Sequence, residues 1–295
     1  MKRILLTTTS LVLAAGVAQA DVSFSGTAGV ALIDDNGKSD ATRVDMFFES
    51  YYDFDITASA ESDNGVSVSV GFDMGAGNKI DYNDDDVLEA QGNTVGDADV
   101  AVSYNGWTLT VDQAGIDNLF DDDDGSQDVS IAGSIAGWSV AMTSDQEGST
   151  SSYKVGGNVG GVALTFTGTD NDDAGGDATG ISASYAMGDL TVSASMSDES
   201  NDAEDDTSVG FSYAMDALTI GYTTIKPGSD GSLGDEWDAS VKYSAGGMVA
   251  SFALDEADAT TIIIDYALGA SAFAAMHDKP DTANDLTTVG LNFAF

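Results

Sequence analysis

The sequence predicts an all-β protein, a transmembrane antiparallel up-and-down β-barrel of 16 to 18 strands. Three observations predict it. Apolar residues recur at spacing two through most of the chain, which is the strand period, and nowhere keep helical spacing over a useful length. The connections alternate between short, nearly uncharged turns and longer, strongly acidic loops, the asymmetry of a barrel set in a membrane. The chain stops in Thr287-Thr288-Val289-Gly290-Leu291-Asn292-Phe293-Ala294-Phe295, an alternating run that puts Val289, Leu291, Phe293 and Phe295 on one face and needs a neighbouring strand to close it.

At the other end, Lys2 and Arg3 precede an apolar run over residues 4–17, and Ala18-Gln19-Ala20 forms an A-x-A site before Asp21. The run is too short to span a bilayer. Residues 1–20 therefore read as a Sec-type signal peptide cleaved after Ala20, and residues 21–295 as the barrel domain. With no cysteine, an exported chain has no disulfide framework. The formal charge of −41, from 50 acidic and 9 basic residues, makes nucleic acid an implausible partner, because phosphate binding needs clustered Lys and Arg. A hydrophobic content of 42% is too high for a charged disordered chain, so the acidic residues must gather where water reaches them.

In chain order the alternation predicts strands at 22–33, 43–61, 66–75, 97–104, 107–113, 128–135, 138–143, 151–158 and 162–169. It continues at 178–186, 190–197, 207–213, 218–224, 235–243, 248–254, 260–266, 270–276 and 286–295. The count is eighteen, even as an up-and-down barrel requires. Asn105-Gly106, Ala136-Gly137, Gly160-Gly161, Gly188-Asp189, Gly246-Gly247 and Leu268-Gly269 supply residues suited to tight turns. Residues 81–89, 117–124, 170–177, 198–206, 230–236 and 278–285 are the acidic loops. Tyr104, Tyr185, Tyr213, Tyr243 and Tyr266 each hold the last apolar-face position before a short turn, and Trp107 and Trp138 stand just after one. Rings repeated at one level build an interfacial girdle on the short-turn side.

The opposite parity predicts what faces water. On the second strand Arg43, Asp45, Glu49, Asp53 and Asp55 alternate with apolar residues, and charged residues on a spanning strand must avoid lipid. The same parity places Asp73, Asp112, Lys154, Glu236, Asp238, Lys242 and Asp265 inward as pore-lining residues. Carboxylates dominate, which predicts attraction of cations and repulsion of anions. Residues 114–127, between the fifth and sixth strands, combine Ile116, Leu119 and Phe120 with Asp117 and the run Asp121, Asp122, Asp123, Asp124. An apolar cluster in so acidic a loop needs a wall to pack on.

The signal, the first strand Asp21-Val22-Ser23-Phe24-Ser25-Gly26, the repeated hairpins and terminal Phe295 together resemble the alphaproteobacterial branch of the Gram-negative general porins. The resemblance covers the whole chain after the signal. It implies a 16-stranded homotrimer of the outer membrane that passes small hydrophilic solutes by passive diffusion. It implies contact with outer-membrane lipids and lipopolysaccharide. It also implies that the loop at 114–127 folds into the barrel as a constriction, and that the barrel-assembly machinery reads Phe293 and Phe295 as an assembly signal. Eighteen segments exceed that family's count by one hairpin.

No catalytic or metal constellation competes with this reading. His277 reads as a solvated loop residue before Lys279-Pro280, and Asp121-Asp122-Asp123-Asp124-Gly125 lacks the alternating ligand register and distal Glu of an EF-hand. The expectation is no enzyme activity and no cofactor, with weak Ca²⁺ binding by the acidic loops at most. The competing reading is a secreted acidic β-rich surface or adhesion protein without pore activity, which would keep the export signal and the strands. It leaves terminal Phe295 and the one-sided girdle without a reason.

Overall fold

The period-two runs form strands throughout the computed structural model, which describes residues 17–35, 46–80, 88–91, 99–120, 125–146, 150–171, 176–200, 205–226, 236–278 and 285–295. The strands are β1 (Val17–Asp35), β2 (Phe47–Ser62), β3 (Ser67–Ile80), β4 (Leu88–Ala90), β5 (Asp99–Tyr104) and β6 (Trp107–Asp117). Then come β7 (Gly125–Ile135), β8 (Trp138–Ser144), β9 (Thr150–Val159), β10 (Val162–Asn171), β11 (Ala178–Met187), β12 (Leu190–Glu199) and β13 (Asp206–Met215). The set ends with β14 (Leu218–Lys226), β15 (Glu236–Ala245), β16 (Met248–Asp255), β17 (Thr260–Ala267), β18 (Ser271–Asp278) and β19 (Leu286–Ala294). Each pairs antiparallel with its sequence neighbours, except that β3 pairs β5 directly and β4 is a three-residue addition to the tip of β3. β1 pairs both β2 and β19, so the sheet closes on itself as a barrel of eighteen strands.

Register divides every strand into two faces. Phe166 and Ile181, Val192 and Phe211, Phe211 and Tyr222, and Leu291 and Val30 oppose each other on one face, exposed or half-buried. An exposed apolar band around a closed sheet is stable only against lipid, so this face is the outer one. The girdle lies on it. Tyr104, Tyr185, Tyr213, Tyr243 and Tyr266 are all exposed, at the short-turn end of β5, β11, β13, β15 and β17. Trp107 lies across Gly133 and Trp138 across Gly157, each with its ring where a Cβ would otherwise sit, so the glycines make room for the interfacial rings.

The short turns are tight. Asn105 and Gly106 have φ of 50° and 81°, the two positive angles of a type I′ hairpin, whose twist matches that of the strands it joins. At the seam, Phe295 and Gly26 exchange two backbone bonds of 3.0 Å, and the rings of Phe24, Phe54 and Phe295 stack along the outer face.

β1 runs through the predicted cleavage junction, with Ala20 opposite Ala60 and Asp21 opposite Ser59. Pairing with β19 ends at Thr27↔Ala294 and the Gly26 bonds, so removal of residues 1–20 would shorten an overhang bonded to β2 alone and leave the seam untouched. The mature N-terminus is expected to read Asp21-Val22-Ser23-Phe24 on N-terminal sequencing of the membrane protein. A sequence starting at Met1 would contradict the export reading.

Two expectations change. His277 is no loop residue: the alternation Phe273, Ala275, His277 carries on into β18, where His277 is buried on the inner face opposite Thr261, whose Oγ1 meets Nδ1. Among its described residues the stretch 114–127 is also mostly strand, since β6 extends through Ile116 and Asp117 and β7 begins at Gly125.

Candidate functional site

The inner face is polar, and β2 and β3 carry its densest charge. Glu49, Asp53 and Asp55 share the inward parity of β2, and Asp73 lies opposite Asp55 across the ladder. Ser25 on β1 donates to Asp55 Oδ2 at 3.3 Å. Asp112 follows Thr108 and Thr110 on the inward face of β6, and Lys154 lies between Ala141 and Thr167 on β9. On β15, Glu236, Asp238 and Lys242 share the inward parity, and on β17 Asp265 accepts a bond from Ser271 at 3.0 Å. Arg43, Asp45 and the run Asp121, Asp122, Asp123, Asp124 lie outside the described residues.

The structure adds charged groups that alternation alone passes over. Asp255 lies directly opposite Asp238, so two pairs of carboxylates, Asp55↔Asp73 and Asp238↔Asp255, face each other in register. Asp99 stands over Gly71 on the same face, and Asp128 is buried, its Oδ2 accepting the Gln146 N–H at 2.6 Å. Lys79 lies within electrostatic reach of Asp53. Lys79 and Asp255 lie just past the ends of the predicted segments 66–75 and 248–254, so neither enters a period-two reading of them.

Like charges directly opposed in a sheet are destabilising. Unit charges about 4 Å apart repel by about 1 kcal/mol in water and by about 4 kcal/mol where the effective dielectric falls to about 20. Two such pairs are tolerable on a face wetted by water and its cations, and costly on a packed one. The opposed pairs thus suit a face open to water.

One segment crosses that face. Between β6 and β7 the register shifts after Val111↔Val129, and the chain leaves the wall at Asn118. Asn118 is buried, and its Nδ2 donates to Thr169 Oγ1 on β10 at 3.1 Å. The Leu119 N–H donates to Ser152 Oγ on β9 at 2.8 Å, and Ser152 in turn shares a 2.5 Å bond with Thr143 of β8. The Phe120 N–H donates to Asn118 Oδ1 at 2.9 Å, and its ring lies over Gly180 of β11, 3.4 Å from where a Cβ would be. All four wall residues have inward parity. Asn118, Leu119 and Phe120 thus lie inside the barrel, while Ile116 and Asp117 belong to the wall.

Comparison with known proteins agrees with this geometry. A family model described as Gram-negative porin matches residues 7–294. Among solved structures, a doubly substituted porin of Rh. blastica superposes with a TM-score of 0.60 at 21% identity, covering 93% of this chain and 100% of that one. A triply substituted Rhodopseudomonas blastica porin gives 0.59 at 21% identity, and another doubly substituted form gives 0.58 at 19%, with the same coverage. At these identities the likeness is one of fold. No curated protein sequence matches the chain.

Proposed function

The chain belongs to the Gram-negative porin family, and on that premise we propose that it forms a water-filled, cation-preferring channel through the outer membrane for passive diffusion of small hydrophilic solutes and ions. The observation that carries the reading is the opposed carboxylate pairs Asp55↔Asp73 and Asp238↔Asp255 on the inner face of a closed barrel. Glu49, Asp53, Asp112 and Asp265 add to their potential, and Lys154 and Lys242 only partly offset it. Field lines confined by the low-dielectric wall concentrate cations along the axis. Arg43 and Asp45 complete the proposed lining.

Asn118, Leu119 and Phe120 support a constriction in this region, with Ile116 and Asp117 at its root and Asp121, Asp122, Asp123 and Asp124 as its charged tip. Changing those four aspartates to Asn should lower cation preference and alter unitary conductance. Unchanged values would put the run on the surface. The proposed assembly is a homotrimer among outer-membrane lipids and lipopolysaccharide, delivered by the barrel-assembly machinery after signal removal. Purified protein in planar bilayers should open in discrete, ohmic steps, and in liposomes should admit sugars at rates that fall with their size. Exclusion of the smallest sugars with no conductance would contradict the reading.

A further inference from the structure

β3 keeps its pairing with β2 only as far as Gly77↔Tyr51, although β2 continues through Glu49 to Phe47. At Gly77 the backbone takes a φ of 88°, and a Cβ there would collide with the Ser50 carbonyl, so glycine is required for the strand to turn away. Beyond it Asn78, Lys79 and Ile80 pair with Ala90, Glu89 and Leu88 of β4, and the Gln91 N–H donates to the Gly77 carbonyl at 2.8 Å. The turn is inward. Asn78 Nδ2 donates to Glu49 Oε2 at 3.2 Å, and Asn78 shares a crevice with the inward residues Ile33, Tyr51, Phe273 and Asn292. The Lys79 charge acts on the Asp53 carboxylate, one inward position further along β2 than Tyr51. The wall beside this hairpin is the one apolar stretch of the inner face among the described residues, where Ile33, Phe273, Ala275 and Leu286 are buried together.

We propose that residues 77–80 and 88–91 form a second inward-folded element of the channel, a hairpin latched to Glu49 through Asn78 that carries Lys79 toward the carboxylates of β2. In a closed ring of eighteen strands, β19, β1 and β2 stand opposite β10, β11 and β12, and Asn118 and Phe120 lie against β10 and β11. The lumen is then narrowed from two facing walls, and Lys79 sets how much of the β2–β3 negative potential a passing ion meets. The inference deepens the channel reading and rests on it for the role of Lys79, whereas the position of the hairpin does not.

The absence of native cysteine makes the test direct. The double variant Glu49→Cys, Asn78→Cys in the folded, detergent-extracted barrel should cross-link with a mild oxidant or a short bis-thiol reagent. The pair Phe48→Cys, Asn78→Cys should not, because Phe48 is 76% exposed on the outer face. Lys79→Met should raise the K⁺ to Cl⁻ permeability ratio about twofold, the effect of one unit charge about 10 Å away in water. Absence of the Glu49–Asn78 cross-link, or equal cross-linking through Phe48, would overturn the inward hairpin even in a conducting channel. An unchanged ratio in Lys79→Met would overturn the role of Lys79. A cross-linked protein that does not conduct would overturn the channel reading while keeping the hairpin.

Discussion

Deleting Phe295 should cut the amount of folded barrel in the outer membrane several-fold while leaving export to the periplasm intact. The residue holds the free end of the seam: its backbone makes two 3.0 Å bonds with Gly26, and its ring stacks on Phe54 with centroids 6.4 Å apart. Beyond Gly26, β1 is bonded to β2 alone, so nothing further along replaces what is lost. Two backbone bonds and an aromatic pair are together worth on the order of 2–4 kcal/mol. That is a sizeable share of a folded protein's net stability. Phe295→Ala separates the contributions, because it keeps the backbone bonds and removes the ring that the assembly reading requires. Both variants should lower the heat-modifiable band on gels, with Phe295→Ala lying between the deletion and the wild type. Wild-type levels in the deletion would make the terminal aromatic incidental.

Replacing Asp55, Asp73, Asp238 and Asp255 together by Asn should remove most of the cation preference and raise the temperature at which the barrel unfolds in detergent. The two effects share a cause. Each opposed pair holds two like charges at cross-strand distance, costing about 1 kcal/mol in water. The same charge should attract cations into the lumen. Asn keeps an acceptor for the Ser25 hydroxyl, so the hydrogen bond at Asp55 survives. Lower stability in the quadruple variant, or an unaltered reversal potential, would show that these carboxylates are neither repelling one another nor facing the permeating ions.

The strands were legible because lipid outside and water inside impose a strict period of two. The predicted segment 178–186 and the observed Ala178–Met187 differ by one residue, and 207–213 against Asp206–Met215 by one and two, the strands running a little further than the apolar face shows. What escaped were places where that rule is suspended. Leu88–Ala90 is three residues in an acidic stretch and pairs only with the tip of β3, too short to show any period. The predicted segment stops at residue 75, before Gly77 turns the chain off the wall, so Lys79, at the same parity as Asp73, fell outside it. β18 is apolar on both faces from Ala272 to Met276, which hid the inward line of Phe273, Ala275 and His277 and let the following charged residues suggest a loop. The Phe120 ring lies over Gly180 as an apolar group needing cover would, whereas Leu119 meets the wall through its backbone N–H. Asn118, which anchors that segment to Thr169, carries no such signal.

The reversal potential of the unmodified protein in a KCl gradient reads the sign of the charge that permeating ions meet. An inner face where carboxylates outweigh lysines should give cation preference at low salt, declining as both solutions are concentrated and the Debye length shrinks from about 10 Å at 0.1 M to about 3 Å at 1 M. Anion preference, or a preference indifferent to salt, would contradict the placement of Asp53, Asp55, Asp73 and Asp238 on the wall that ions pass.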